Sequence, residues 1–363
     1  MRVLRALVLL FIFAATSQAA EPLDISAELE IVRAKNKLPA CAAAVIEDGR
    51  ITAIGATGLR RMDRDVQVTR DDIWHIGSCT KTMTATLVGI LVDAGKLRWD
   101  MTVPEALPGV KCDAAWKNVT IEHLLTHRSG IPQISRAEWR TLDMGKGTPR
   151  EQRATFAKTV LARPLADPVG TYSYSNSGYG LLGAIIERAA DSGYEELMGV
   201  KIFAPLGLKT AGFGAPATPG KTDQPWGHYR DGEQLKPAEP VPENQFPPAL
   251  APAASVHVSL SDFARFAAWV SSGEPKLVTA ETRRHLQTPP SGGSYAGGMW
   301  VTEMPGIGGK AVCHCGHMGG LFGVFHASPK IACVAVFNTA GGGWEWVGDE
   351  ISAAALKAAA SKK

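Results

Sequence analysis

The chain has 363 residues, 45% hydrophobic and 20% charged, which is enough apolar content for one large domain or two lobes around a sizeable core. The formal charge is only +3, and Arg2 and Arg5 supply two of the positive charges in a first stretch of twenty residues that holds no acid. The remainder is close to neutral, and no basic run interleaved with aromatics appears, so nucleic acid is excluded as a partner on electrostatic grounds.

Residues 1–19 read as a secretory signal peptide. They have a basic start, an apolar stretch from Ala6 to Ala15, and Ser17-Gln18-Ala19 as a small-residue cleavage site. The apolar stretch is short for a bilayer span, and no cysteine follows the cleavage site to take a lipid. The expectation is an exported, periplasmic protein without stable membrane insertion after cleavage. The alternative is an uncleaved anchor. Six cysteines (41, 79, 112, 313, 315 and 333) follow the signal. Disulfides are permitted in that compartment, but the spacing specifies no pairing.

The stretch 40–58 alternates two β-prone runs around Asp48-Gly49 and predicts a hairpin. Helices are expected from near Cys79, Thr120, Ser177, Tyr194 and Ser261. Ser259-Leu-Ser-Asp262 offers a capping-box start for the last of these. A Pro-rich stretch, 224–253, reads as a surface excursion, either lining a site or simply connecting. "GKAVCHCGHMGG", "LFGVFHASPK" and "IACVAVFNTA" read as successive strands, and "WVGDEISAAALKAAASKK" as a terminal helix. Strands at both ends with helices between predict an antiparallel sheet built from both ends around an inserted helical lobe.

Three motifs carry chemistry. Ser78-Cys79-Thr80-Lys81 is Ser-x-x-Lys at a helix start. The separation puts Lys81 one turn along on the same face as Ser78, and the helix that follows is apolar all round. A lysine buried near a helix N-terminus resists protonation, and a neutral amine beside a hydroxyl makes an activated nucleophile. The plainer reading is an N-cap with a surface lysine. Tyr174-Ser175-Asn176 lies in a polar loop before another helix, where a tyrosine can shuttle a proton and an asparagine can bind a substrate carbonyl. His317-Met318-Gly319 ends a strand and Gly320 opens the next. Glycine there admits a substrate along the strand edge and presents a backbone N–H to an oxyanion.

These motifs, in this order, resemble the serine β-lactamase and penicillin-binding-protein superfamily. The likeness is to its class C β-lactamase, D-alanyl-D-alanine carboxypeptidase and family VIII esterase branch. "IEHLLTHRSGIP", "YSNSGYGLLGAIIE", "SLSDFARFAAWVSSG" and "GHMGGLFG" look like segments of that branch. The resemblance implies an α/β plus all-α fold of β-lactamase/transpeptidase type. Residues 20–77 and 255–363 would form an α/β lobe with a five-stranded antiparallel sheet, and 78–254 a helical lobe. It implies Ser78 as nucleophile, Lys81 as its base partner, Tyr174 as second general acid/base, and Asn176, His317 and Gly319 as substrate-binding residues. The oxyanion hole would be the backbone N–H groups of Ser78 and Gly320. His317 then stands where β-lactamases carry a lysine for a substrate carboxylate, and a histidine is mostly neutral at pH 7.

The expected activity is therefore acyl-enzyme hydrolysis of a small-molecule or peptide substrate without a cofactor. Small carboxylic esters rank first, D-amino-acid peptides second and β-lactams third. A β-lactamase or D-Ala-D-Ala carboxypeptidase is the same-class alternative, and a catalytically silent binding protein or a metal-binding protein is the alternative of another class. Cys313, Cys315 and His317 share a strand face, but Cys-x-Cys is not the usual zinc spacing, and no metal is expected.

Overall fold

The computed structural model describes residues 21–131, 134, 138, 146–231, 234–304, 306–340 and 345–361; the signal-peptide reading of 1–19 lies outside them. The main sheet is built from both ends of the chain. Its strands are Leu23–Asp24, Ala40–Glu47, Arg50–Arg61, Arg64–Gln67, Trp300–Met304, Gly309–Met318, Leu321–Ala327 and Ile331–Phe337. Ile331–Phe337 pairs antiparallel with Ala40–Glu47, so residues almost three hundred positions apart meet at the centre of the sheet.

The sheet has eight strands where five were expected. Five long antiparallel strands do form its middle, from Arg50–Arg61 through Gly309–Met318. Trp300–Met304 extends one edge, Arg64–Gln67 pairs beyond the other, and Leu23–Asp24 adds a two-residue parallel strand. These extra strands are too short to show as periodic patterns. The predicted hairpin turns at Asp48 and Gly49, both at positive φ (47° and 77°), as a tight two-residue turn of this twist requires.

Both faces of the sheet are covered. The helices Ser26–Lys35 and Glu345–Ala360 pack on one face around Val45, Phe322 and Phe337, and Leu260–Ser272 packs on the other against Phe325. The strand Ala40–Glu47 is buried along nearly its whole length, as a central strand covered twice must be. Ser259 caps its helix by accepting from the Asp262 N–H. The reciprocal half of the expected capping box is missing, because the Asp262 carboxylate is engaged by Thr210 and Arg265.

The larger core joins the sheet to the helices Thr80–Asp93, Ile121–Leu125, Pro149–Leu161 and Asn176–Ala190. Of the two readings of the Pro-rich stretch 224–253, lining a site and plain connection, the structure favours the first. The stretch contains a hairpin, Gly227–Asp231 with Gln234–Ala238. Trp226 and His228 are buried at its start and Ala249–Ala254 at its end. The interior of this stretch, 242–247, faces the cavity described next. Among the described residues no helix is long and apolar enough to cross a membrane.

Candidate active site

Gly77–Cys79 forms one turn of 3₁₀ helix that runs into the helix Thr80–Asp93. Gly77 sits at φ +52°, a left-handed conformation that costs glycine little and other residues more. Thr80 pins the turn: its hydroxyl donates to the Gly77 carbonyl (2.7 Å) and accepts from the Val256 N–H (3.1 Å). The helix is buried on all sides over its first ten residues, as its apolar pattern required.

Lys81 is fully buried. Its Nζ lies 3.1 Å from Ser78 Oγ, 2.7 Å from Asn176 Oδ1 and 2.9 Å from the Ala253 carbonyl. Burial drives its pKa well below the ordinary lysine value, because the charged form loses hydration. A neutral amine has two donors and one lone pair. The Asn176 and Ala253 oxygens can only accept, so they take the two donors and leave the lone pair directed at the Ser78 hydroxyl. The Lys81 surroundings therefore set it up as a base.

Tyr174 closes the other side. Its ring lies under Lys81 Nζ (4.7 Å to the centroid), and its hydroxyl lies near that of Ser78. Burial raises its pKa far above that of a free phenol, so it starts as a neutral O–H. The tyrosine loop is held by His127, which lies in the segment "LLTHRSG". His127 Nδ1 accepts from the Ser175 N–H (3.1 Å), its carbonyl accepts from the Ser173 N–H (2.8 Å), and its ring packs 4.3 Å from that of Tyr174. Burial holds the His127 pKa well below 6.5, so the ring is a neutral brace.

The third motif lies elsewhere than expected. Two matches overlap in "CHCGHMGG": His314-Cys315-Gly316 and His317-Met318-Gly319. The structure sets the first of these against the nucleophile. A methyl on Gly316 would fall 2.7 Å from Ser78 Cα and 2.8 Å from its Cβ, closer still to its N. Gly316 pairs across the sheet with Gly323, whose own methyl would lie 3.0 Å from Ile76 Cα. Paired glycines thus make room for the turn that carries Ser78. Side chains alternate along a strand, so His314 shares the Gly316 face and is buried, while His317 alternates away with Cys313 and Cys315 and is exposed. His317 keeps a place at the cavity wall, and Gly319 lines it too.

Gly320, expected in the oxyanion hole, instead packs against the hairpin. Its carbonyl accepts from the His228 N–H (3.2 Å), and a methyl on it would strike His228 N at 2.6 Å. The backbone that approaches the nucleophile turn is Gly316–His317: a methyl on Gly77 would lie 2.5 Å from the Gly316 carbonyl carbon and closer to His317 N.

His314 is neutral, its pKa held at about 3 chiefly by burial and further by nearby Lys81. Its Nδ1 lies 2.6 Å from the Cys315 carbonyl, so Nδ1 carries the hydrogen, and Nε2 accepts from the Tyr295 hydroxyl at 3.0 Å. Sequence reasoning missed His314, Gly316 and Tyr295. The usable signal was Gly316, a glycine inside an otherwise β-prone run, which marks close backbone approach.

Ser78, Tyr174 and Asn176 open onto a cavity of about 860 Å³. Phe246, Trp300, Met318 and Phe322 make much of its wall. Among the described residues no lysine or arginine lines it, and Glu243 is the one carboxylate that does. Cys313, Cys315 and His317 do not gather into a ligand set: among the described residues no three His, Cys, Asp or Glu side chains come together to hold a metal ion. All six cysteines are free thiols.

A buried Ser-x-x-Lys turn, a tyrosine against the serine hydroxyl and a glycine-bearing strand edge define a serine hydrolase of the β-lactamase and penicillin-binding-protein type. A family model described as Beta-lactamase matches residues 28–358, and the chain belongs to that family. It is 29% identical to penicillin-binding protein 4 of Amycolatopsis lactamdurans over 86% of this chain and 84% of the relative. It is 25% identical to an unguisins hydrolase of Aspergillus campestris over 73% of this chain, spanning half of that relative. Among solved structures, an octameric penicillin-binding protein homologue from Pyrococcus abyssi superposes with a TM-score of 0.72 at 27% identity, covering 89% of this chain and 75% of the other.

Proposed function

We propose that the protein is an exported serine hydrolase that forms an acyl-enzyme at Ser78, acting first on small carboxylic esters and next on D-amino-acid peptides. The observation that carries the reading is the buried Lys81, whose two other neighbours are both acceptors and which lies 3.1 Å from Ser78 Oγ. Ser78 Oγ attacks the carbonyl carbon and its proton passes to Lys81 Nζ. The backbone N–H groups of Ser78 and His317 stabilise the developing oxyanion. Tyr174 relays the proton to the departing alkoxide or amine as the carbonyl–leaving-group bond breaks. Water then repeats the sequence in reverse, its proton taken by the same pair and its oxygen bonded to the acyl carbon, and Ser78 is released.

Substrate rank follows from charge. Apart from Lys81 beneath the serine, no lysine or arginine among the described residues reaches the cavity, and His314 is neutral. A carboxylate on penicillin or on D-Ala-D-Ala would lose hydration without gaining a fixed cation, so neutral esters are favoured. Export is supported by the leader-like residues 1–19. A D-Ala-D-Ala carboxypeptidase or β-lactamase is the second reading, favoured by the likeness to penicillin-binding protein 4. The test is intact-mass detection of acylation with a small neutral ester, a D-Ala-D-Ala peptide and a β-lactam, with Ser78→Ala as the control. Acylation of Ser78 by the ester fastest of the three supports the ranking. No adduct with any of them, in a folded protein, would falsify the assignment.

A further inference from the structure

A second cavity, of about 800 Å³, shares no lining residue with the catalytic one. It lies where the C-terminal end of the helix Leu260–Ser272 and the helix Ala280–Leu286 meet the edge of the main sheet. Lys310 and Val312 bring to it the end of the strand Gly309–Met318 opposite the glycine that seats Ser78. Part of its lining is apolar: Val270 and Val312 are buried, and Val278 and Val301 half-buried. The rest is cationic. Lys276, Arg284 and Lys310 are exposed around it, and Arg283 is half-buried in its wall. Among the described residues Glu274 is the one carboxylate in the lining. The chain as a whole carries 38 basic and 35 acidic residues, so this imbalance is local. None of the four cations makes an ion pair among the described residues. Glu303 is in register with Lys310 on the neighbouring strand but does not line the cavity.

Arg283 is the fixed member of the group. Its Nη2 donates to the Val270 carbonyl (2.8 Å) and to that of Ser271, and its stem packs on Gly273, where a methyl would lie 3.0 Å from Arg283 Cδ. Nη1 has no hydrogen-bond partner among the described residues and, unlike Nε, is not sealed from solvent, so its N–H donors are open. Burial holds the Arg283 pKa below the ordinary arginine value, and no carboxylate offsets that loss of hydration. A held guanidinium, three further cations and an apolar surface together complement an amphiphilic anion. Four cations against one carboxylate favour a headgroup with more than one negative charge, and the volume is that of a small-molecule site.

We propose that this cavity binds an organic phosphate monoester, with its dianionic headgroup on Arg283, Lys276, Arg284 and Lys310 and its apolar body on the valine-lined surface. The site is independent of the chemistry at Ser78. A soluble alkyl phosphate and the headgroup of a phosphate-bearing lipid share the required features.

Titration calorimetry on the full chain compares hexyl phosphate, inorganic phosphate and hexyltrimethylammonium. Hexyl phosphate should bind at least about tenfold tighter than inorganic phosphate, since each buried methylene is worth about fourfold, and hexyltrimethylammonium should not bind. Lys276→Glu and Lys310→Glu should each weaken hexyl phosphate about tenfold at low salt and less at high salt, with an unchanged circular dichroism spectrum. Arg283→Leu should weaken it at any salt concentration; because Arg283 also ties down a helix end, the two exposed lysines keep the test open if that variant does not fold. Co-sedimentation with phosphatidylcholine vesicles, with and without phosphatidic acid, separates the two sources. Retention that needs phosphatidic acid and is lost in Lys310→Glu supports a lipid headgroup in the site, and hexyl phosphate binding without such retention supports a soluble ester. Equal affinity for hexyl phosphate and inorganic phosphate, no binding of hexyl phosphate at millimolar concentration by the folded protein, or an affinity untouched by both lysine variants would overturn the site and leave Ser78 standing.

Discussion

Gly316→Ala tests the assembly of the site at its tightest point. The new methyl would meet Ser78 Cα at 2.7 Å and Cβ at 2.8 Å, where carbon atoms ordinarily rest about 3.5–4.0 Å apart. The atoms it strikes are backbone and the root of the nucleophile, so no flexible side chain can swing aside. Strand and turn have to separate by about 1 Å, and a displacement of that size at reacting groups costs roughly a hundredfold in rate. The strand is flanked on both sides by paired neighbours, so the nucleophile turn yields first, taking the Ser78 N–H with it. The assay is kcat/KM on a neutral ester together with the second-order rate of fluorophosphonate labelling, both expected to fall about a hundredfold. Gly193→Ala, where a methyl would meet nothing within 4 Å, controls for the exchange itself. A Gly316→Ala enzyme with near wild-type labelling and an unchanged melting temperature would refute the placement of this strand against Ser78.

Lys81→Ala should be nearly as damaging as Ser78→Ala, on the order of a thousandfold or more, and Tyr174→Phe somewhat less. The double variant should lose far less than the product of the two, since both serve one proton path; a double-mutant cycle showing independent losses would count against the shared role. His314→Lys places an ammonium on the nucleophile's side of the strand and should shift kcat/KM toward carboxylate-bearing substrates by about ten- to a hundredfold, measured as the ratio of a cephalosporin to a neutral ester; an unmoved ratio in a folded variant would sink the charge argument. Burial holds His75 and His314 at a pKa of about 3, His228 at about 4 and His127 well below 6.5. The unfolded chain protonates all four near 6.5, so between those values it binds more protons than the native state. Stability is thus retained above about pH 6.5 and lost as pH falls toward 4, with a slope approaching about 5 kcal/mol per pH unit near pH 5 from four groups. Urea midpoints that stay level from pH 6.5 to 4.5 would contradict this.

Much of the fold was legible because its signals are local. The Asp48-Gly49 turn, the three late strands and the helix from Thr80 each follow from a spacing of apolar residues and a turn residue. The edge strands carry no such pattern, being set by pairing partners far along the chain. Ser78, Lys81 and Tyr174 could be read because their chemistry lies in short spacings. The register of the third motif could not, since "CHCGHMGG" satisfies the pattern twice. What separates the two matches is which glycine lies under the nucleophile turn, a contact between residues more than two hundred positions apart.

The central pairing of Ile331–Phe337 with Ala40–Glu47 also sets the timing of assembly. The early hairpin 40–61 can form soon after it is synthesised, but its neighbour in the sheet is made some 270 residues later, tens of seconds at typical ribosome speeds of roughly 5–20 residues per second. The strand that seats Ser78 arrives in that same late portion. Until then the hairpin presents an unpaired strand edge, open to pairing with other chains. The catalytic cleft is therefore complete only after translation has passed residue 337.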